Sequence, residues 1–399
     1  MVDTGAVARN TRGSGSSVSG LKSADVSIAI VCPADTAALA DYEIFCSTAL
    51  HGQAQHPLWL HAWITATNAD ALIATIRHEG RTKLMVAMEV IKSGPFRVAR
   101  FMGGAHANGN FVATDPSGQN FVTASVLTAL REVVAQARPD IDLICLERQL
   151  PDLLGMPNPF AQLATVQSAN IALATDMSGG MDAMLARMNG KRKRKKLRYT
   201  LNKFSEAGGH RWLEASSAAD VETLLSSFFE MKALRFRQNG IPDPFSPMEV
   251  QSFFQTLFTQ ALQQKPAPFV LHGLEVGGRI VGVNGYSITQ NSFVCEFCAI
   301  DDSEPSLSPG FYLDFVAMEK ACEQGKAIYD FSVGDDDYKR TWCDVQTQPF
   351  DLLLPLTVKG RLAYAGRLAR TRGISAVKSN TRFWTLLKTL RKKVSGYTS

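Results

Sequence analysis

The sequence predicts an α/β (α+β) chain of two similar units, each a mostly antiparallel, mixed sheet flanked by helices, with a basic helical tail. Two observations predict it. A strand–turn–strand–turn–strand pattern occurs twice, as ALIATIRHEGRTKLMVAMEVIKSGPFRVARFMGG and as FVLHGLEVGGRIVGVNGYSITQNSFVCEFCAID. Gly80-Arg81 and Gly278-Arg279 stand at the first turn of each copy. Each copy then leads through a helical stretch, 118–137 or 309–325, to an apolar strand, IDLICLE or AIYDFS. Strands alternating with helices in this way form layered α/β units.

In chain order, residues 1–24 are small and polar and are expected to be a disordered arm. They lack the basic-then-apolar order of a signal peptide, and SIAIVC at 27–32 is too short to serve as one. An N-terminal domain is expected over 25–175, with a helix at 57–70 ahead of its meander. A C-terminal domain follows over 176–358, with helical stretches at 180–207, 218–238 and 247–264. The tail, 359–399, is basic: no Asp or Glu follows Asp351, while eleven Lys or Arg lie between Lys359 and Lys393. With a net charge of +5, the body before the tail carries about −6. Within the tail, Phe383, Leu387, Leu390 and Val394 form one helical stripe beside Trp384 and several bases. Such a helix, over 379–394, suits peripheral association with an anionic membrane or packing back onto the acidic body. The chain has a mean hydropathy of −0.04 and no apolar run long enough to span a bilayer. Its seven scattered cysteines do not read as a disulfide framework. A reducing, cytoplasmic setting is expected, with contact at the inner membrane if the tail binds lipid.

One motif has no counterpart in the other copy. Asp330–Trp342, DFSVGDDDYKRTW, closes the last apolar strand of the second copy, whereas IDLICLE in the first continues as ERQLPDLLGMPNPF. One half is therefore expected to work and the other to support it or help form a cleft. Strand ends are where a rigid scaffold presents reactive side chains. Tyr338 could protonate a leaving group as general acid, and Lys339 could stabilise an oxyanion or meet a phosphate. Asp330 could orient a partner or accept a proton. Asp335 or Asp336 could act as base, since crowded carboxylates raise one another's pKa. A solvated turn ahead of a short helix would use the same residues without chemistry. Asp335 and Asp337 also make an Asp-x-Asp pair, but no second acid-rich loop or His cluster accompanies it, so no metal is expected.

Upstream, Ser308-Pro309-Gly310 reads as an N-cap serine, a proline at the first helical position and a glycine that permits close approach. Phe311, Phe315, Met318 and Cys322 then form an apolar stripe. The start of that helix could cradle a pyrophosphate or be an ordinary capped helix. The run Lys191–Lys196, with Arg198 and Lys203, lies on a segment made helical by Leu197, Leu201 and Phe204. It is either a solvated basic face or a surface for the phosphates of CoA, a glycan or a tRNA acceptor arm. Without interleaved aromatics, sequence-specific nucleic-acid binding is not expected. Arg235 and Arg237 end a helix beside a Pro-rich loop and could line an acceptor cleft or cap the helix. His210 and His272 have no partner in the sequence and read as structural. Cys295 and Cys298 lie within a strand, where their spacing should turn the thiols to opposite faces.

The stretch SLSPGFYLDFVAMEKACEQGKAIYDFSVGDDDYKRTW resembles the ending of GNAT-superfamily acetyltransferases described as cellulose-biosynthesis (CelD/BcsL-like) proteins. The shared features are Ser-Pro-Gly opening a helix, then Asp-Phe-x-x-Gly-acid-acid-x-Tyr-Lys-x-x-Trp. The resemblance covers roughly residues 30–355, including QHPLWLHAW and the stretch up to Arg235, and Tyr-Lys is its most specific part. Members are similar to tandem GNAT folds such as the FemAB peptidyltransferases. The resemblance implies acyl transfer, usually from acetyl-CoA, to an amine or hydroxyl of an envelope- or exopolysaccharide-related acceptor. It implies catalytic roles for Tyr338, Lys339, Asp330, Asp335 and Asp336, donor binding at Ser308, Pro309, Gly310 and Phe311, and acceptor binding at Arg235, Arg237 and Trp342. The usual GNAT pyrophosphate loop, Arg/Gln-x-x-Gly-x-Gly/Ala, is replaced by Ser306–Gly310. FemAB relatives use aminoacyl-tRNA, which leaves a second donor class open, and a non-enzymatic component that docks a polysaccharide-synthesis complex to the membrane through its tail is the third reading.

Overall fold

The structure, a computed structural model, describes residues 16–20, 26–117, 121–163 and 165–379. They form two compact units, one taking the chain up to Asn170 and again from Thr347 to Ala376, the other Ile171–Gln346.

The first unit is built on a nine-stranded sheet. Its meander is Ala71–His78, Arg81–Ser93 and Phe96–Phe101, followed by a helix, Ala124–Ala137, and a strand, Leu143–Gln149, that pairs parallel with Phe96–Phe101. The first hairpin turns on Glu79 and Gly80, both at positive φ (51° and 75°). The matching turn of the second unit, Gly277-Gly278, has φ of 55° and 80°. Two successive left-handed residues match the twist of the flanking strands, and glycine adopts that conformation without a Cβ clash.

In the second unit the strands are β1 (Ala172–Asp176), β2 (His210–Glu214), β3 (Phe269–Val276), β4 (Arg279–Ile288), β5 (Ser292–Ile300), β6 (Ile328–Val333) and β7 (Val345–Thr347). The helices are α1 (Gly180–Arg187), α2 (Gly190–Glu206), α3 (Ala218–Gln238), α4 (Met248–Ala261), α5 (Pro309–Glu323) and α6 (Asp337–Arg340). The sheet order is β2-β3-β4-β5-β6-β1-β7; β2–β3, β3–β4, β4–β5 and β6–β1 pair antiparallel, and β5–β6, which α5 connects, pairs parallel. The stretch 180–207 is two helices because Asn189 turns left-handed (φ 56°). A Cβ on Gly190 would lie 2.7 Å from the Leu185 carbonyl oxygen, so this tight joint requires glycine. A capping box between Ser217 and Asp220 starts α3.

Each face of this sheet buries aromatics. On one, Phe297 of β5 meets Phe228 of α3 and Phe254 and Phe258 of α4 at 4.3, 5.0 and 5.7 Å between ring centres. On the other, Phe315 and Met318 of α5 join Tyr286, Phe293, Tyr329 and Phe331 in one cluster. Fully burying each such side chain contributes roughly 1.5–3 kcal/mol, which makes the sheet a stiff mount for groups at its strand ends.

Two expected boundaries move. Ser16–Gly20, expected within a disordered arm, forms a strand paired antiparallel with Val26–Cys32 and so satisfies its backbone groups there. The C-terminal domain, expected to reach 358, ends near Gln346, because Phe350–Pro355 pairs with Thr165–Gln167 and Leu143–Gln149 in the first unit's sheet. The tail begins as a helix, Val358–Ser379. Its second stripe, Phe383–Val394, lies outside the described residues.

Candidate active site

The site lies where β5 and β6 part. Their parallel pairing covers only Ser292–Val294 with Ile328–Asp330, although β5 continues to Ile300 and β6 to Val333. Beyond that point, the edge of β5 turned toward β6 presents N–H and C=O groups that β6 does not use. Ladder groups of this kind can hydrogen-bond an extended, amide-bearing chain.

A β-bulge arms that edge. Pairing with β4 runs Gly285↔Phe297 and Tyr286↔Cys295, leaving Glu296 as the extra residue. An inserted residue breaks the alternation of side chains. Phe297 therefore turns toward α3 and α4 together with Glu296, and Cys298 rejoins Cys295 on the α5 face. The opposite-face expectation for these two thiols is corrected for that reason. Gly285 makes room for the displaced ring, since a Cβ there would meet the Phe297 ring at 2.3 Å.

Glu296 is a candidate functional residue that the sequence motifs do not single out. It is half-buried and accepts a hydrogen bond from Ser287 Oγ at 2.6 Å. Burial, reinforced by the nearby Asp330 charge and opposed by the Ser287 bond, pushes its carboxyl up to about 7. Its signal was available: it is the one acid inside the apolar strand SFVCEFCAI. Asp330 pairs with Val294 in register, on the same face of the sheet. Its carboxylate accepts from the Ser332 backbone N–H at 2.6 Å, and burial raises its pKa. It is thus placed beside Glu296 as a charge neighbour.

Tyr338 stands on α6 and lies on the α5 face. Its residue surface is 44% exposed, but the hydroxyl is 3.8 Å from Cys298 Sγ, and burial raises the phenol's pKa. It holds its proton at neutral pH, as a general acid must. Glu296 and Tyr338 thus approach the parting strands from opposite faces.

The rest of the acid-rich loop behaves differently from expectation. Lys339 is only 6% exposed, and its ammonium donates to the carbonyls of Phe331, Ser332 and Val333 at 2.7, 3.5 and 3.3 Å. It ties α6 to the end of β6, which leaves the oxyanion role assigned to it without a free donor aimed at the site. Asp335 is exposed and bound through both oxygens to Arg340, at 2.5 and 2.8 Å, so its charge is satisfied away from the β5 edge. Asp336 is exposed at the N-cap of α6 and makes no side-chain cap bond. Neither has the burial that a base poised near neutrality needs. Trp342, expected to bind acceptor, is 2% exposed and stacks on Phe311 at 5.4 Å inside the core.

Ser308 occupies the N-cap of α5, but in the left-handed region (φ 46°) and with no side-chain cap bond. Pro309 takes the first turn as expected. The first N–H groups of any helix lack intrahelical partners, which here places those of Gly310 and Phe311 at the helix start. A Cβ on Gly310 would touch only the Ile300 side chain, at 3.5 Å, so the protein's own packing does not demand glycine there. Arg235 is exposed and bridged to Asp302 at 2.7 Å, and Arg237 is exposed on α3. His272 is buried against Trp212, with burial lowering its pKa to about 3, and His210 meets Tyr312 at 3.2 Å. Among the described residues, no group of three or more His, Cys, Asp or Glu is arranged to hold a metal ion, and no helix is long and apolar enough to cross a membrane.

Residues 191–340 match the family model described as acetyltransferase (GNAT) domain, so the second unit has the GNAT acyltransferase fold. The first unit repeats its order of meander, crossover helix and parallel strand, which makes the chain a tandem of GNAT-like units. Among solved structures, FemX is similar at a TM-score of 0.56 and 12% identity, over 82% of this chain and 97% of that one. A conserved protein of unknown function from Bacteroides thetaiotaomicron is similar at 0.51 and 14% identity, over 81% of this chain and 99% of that one. At these identities the likeness is one of fold. A search of curated proteins finds no match to the chain.

Proposed function

We propose that the second unit transfers an acyl group from a CoA thioester, acetyl-CoA in the first instance, to an amine or hydroxyl on an envelope- or exopolysaccharide-related acceptor. The observation that carries this reading is the parted β5–β6 pair, with a carboxyl titrating near neutrality on one face and a protonated phenol on the other. Glu296 takes the proton of the acceptor's N–H or O–H as that atom attacks the thioester carbonyl. The tetrahedral intermediate collapses with loss of thiolate, which Tyr338 protonates. Backbone N–H groups on the β5 edge, rather than Lys339, are the donors suited to the oxyanion. The amides of an extended pantetheine chain match the same edge, and a pyrophosphate suits the N–H groups of Gly310 and Phe311 at the start of α5, beyond Ser308 and Pro309. Arg237 is the exposed base best suited to meet an anionic acceptor.

A second donor, aminoacyl-tRNA, is favoured by two observations: the similarity in fold to FemX and the exposed bases Lys191, Arg192, Lys195, Lys196 and Arg198 on α2. The two readings share Glu296 and Tyr338 and separate on the donor. Thiol release from acetyl-CoA, measured across a panel of amino sugars and polyols, tests the first. Release that is absent with every acceptor, alongside deacylation of a charged tRNA, would move the assignment to the second.

A further inference from the structure

Helix α6 has four residues, too few to hold its place by its own hydrogen bonds. Two buried lysines hold it. Lys339 ties it to the end of β6, as described above. The other is Lys193, on the inner face of α2 among the exposed bases of that helix. Its Nζ donates to the carbonyl of Thr341, the C-cap residue of α6, at 2.7 Å. The same ammonium lies 3.6 Å from the centre of the Trp342 ring, and Lys196 lies 4.5 Å from that of Phe311, the ring stacked on Trp342. A cation at a helix C-terminus and over an indole face is favourable on both counts.

We propose that Lys193 is a positioning residue for acyl transfer, its ammonium gripping Thr341 and Trp342 so that α6 presents Tyr338 to the parted strands. This rests on the reading of Tyr338 as the acid. The grip requires charge, because a neutral amine gives up the cation–π attraction and most of the pull on the carbonyl. Burial, with Lys196 and Arg192 on its own helix, lowers the Lys193 pKa to about 8, while Asp314 of α5 and Cys343 beyond α6 oppose the shift. The charged form is therefore lost as pH rises through about 8, and the grip loosens in that window.

The test uses the full chain, with acetyl-CoA as donor, hydroxylamine as probe acceptor and the uncatalysed rate subtracted. Wild-type kcat is expected to fall above about pH 8. Lys193→Arg, which stays charged, should carry its plateau at least one pH unit higher. Lys193→Met should lower kcat about tenfold near pH 7 and show no alkaline fall near 8, with KM for acetyl-CoA within about twofold of wild type. A second readout needs no turnover: the Trp342 fluorescence, taken as the difference from Trp342→Phe, should titrate near pH 8 in wild type and not in Lys193→Arg. An alkaline fall that stays at pH 8 in a folded Lys193→Arg protein overturns the proposal, as does a Trp342 signal that does not titrate. Wild-type turnover by Tyr338→Phe would refute the reading of Tyr338 while leaving the fluorescence titration in place, so the two failures are read apart.

Discussion

Replacing Glu296 with Gln should trade activity for stability, in a pH window fixed by the Glu296 carboxyl. Its pKa rises from 4.5 to about 7 on folding. At about 1.4 kcal/mol per pH unit, that rise costs the folded state about 3 kcal/mol once the group is ionised. Partial solvent access trims this to about 2 kcal/mol. The sign follows from the raised carboxyl: its contribution is fully present below 4.5 and lost as pH rises through 7. Glutamine keeps an oxygen for Ser287 Oγ and never ionises. Glu296→Gln should therefore be more stable than wild type at pH 8, by about 2 kcal/mol or roughly 4–8 °C in the Tm of this unit, and no more stable at pH 4. Thiol release should meanwhile fall about 10²–10⁴-fold, as expected for loss of a general base. Calorimetric melts at the two pH values, alongside the turnover assay, decide it. A variant that keeps wild-type turnover, or gains equal stability at both pH values, refutes the reasoning.

Tyr338→Phe should lower kcat about 10²-fold or more while leaving KM for acetyl-CoA near wild type, read from initial rates. Lys339→Met should destabilise the second unit by about 2–3 kcal/mol in urea unfolding, because it leaves carbonyls at the end of β6 without their charged donor. Gly285→Ala should destabilise by about 1–3 kcal/mol through collision with Phe297, and lower turnover by disturbing the bulge that sets Glu296. Asp335→Asn should keep turnover within about twofold, since this carboxylate serves Arg340 on the surface; a hundredfold loss would restore it as a base.

The architecture was legible because its signals are local. Glu79-Gly80 and Gly277-Gly278 announce tight hairpins, and the stripe Phe311–Phe315–Met318–Cys322 announces the face of α5. Tyr338 could be picked out because it sits in the motif that occurs once. What stayed hidden depends on register and on distant partners. SFVCEFCAI reads as a regular alternating strand, and nothing in it marks the extra residue that turns Glu296 and Phe297 to one face and reunites Cys295 with Cys298. The partner that makes room for the bulge, Gly285, stands on another strand. Lys339 was expected to meet charge and Trp342 to bind acceptor, yet three carbonyls claim the first and Phe311 with Lys193 the second. Four acids in one loop drew attention, while the acid that burial tunes stood alone among apolar neighbours.

The central claim is that the parted β5–β6 pair of the second unit, with its bulge at Glu296, holds the donor. The matching pair in the first unit, Phe96–Phe101 with Leu143–Gln149, has no bulge, since Phe96–Phe101 pairs with its hairpin neighbour in unbroken register. Titration calorimetry of the full chain with acetyl-CoA tests this most directly. The account predicts saturable binding at one site per chain, retained in Glu296→Gln. Two equivalent sites, or no heat at millimolar acetyl-CoA, would contradict it.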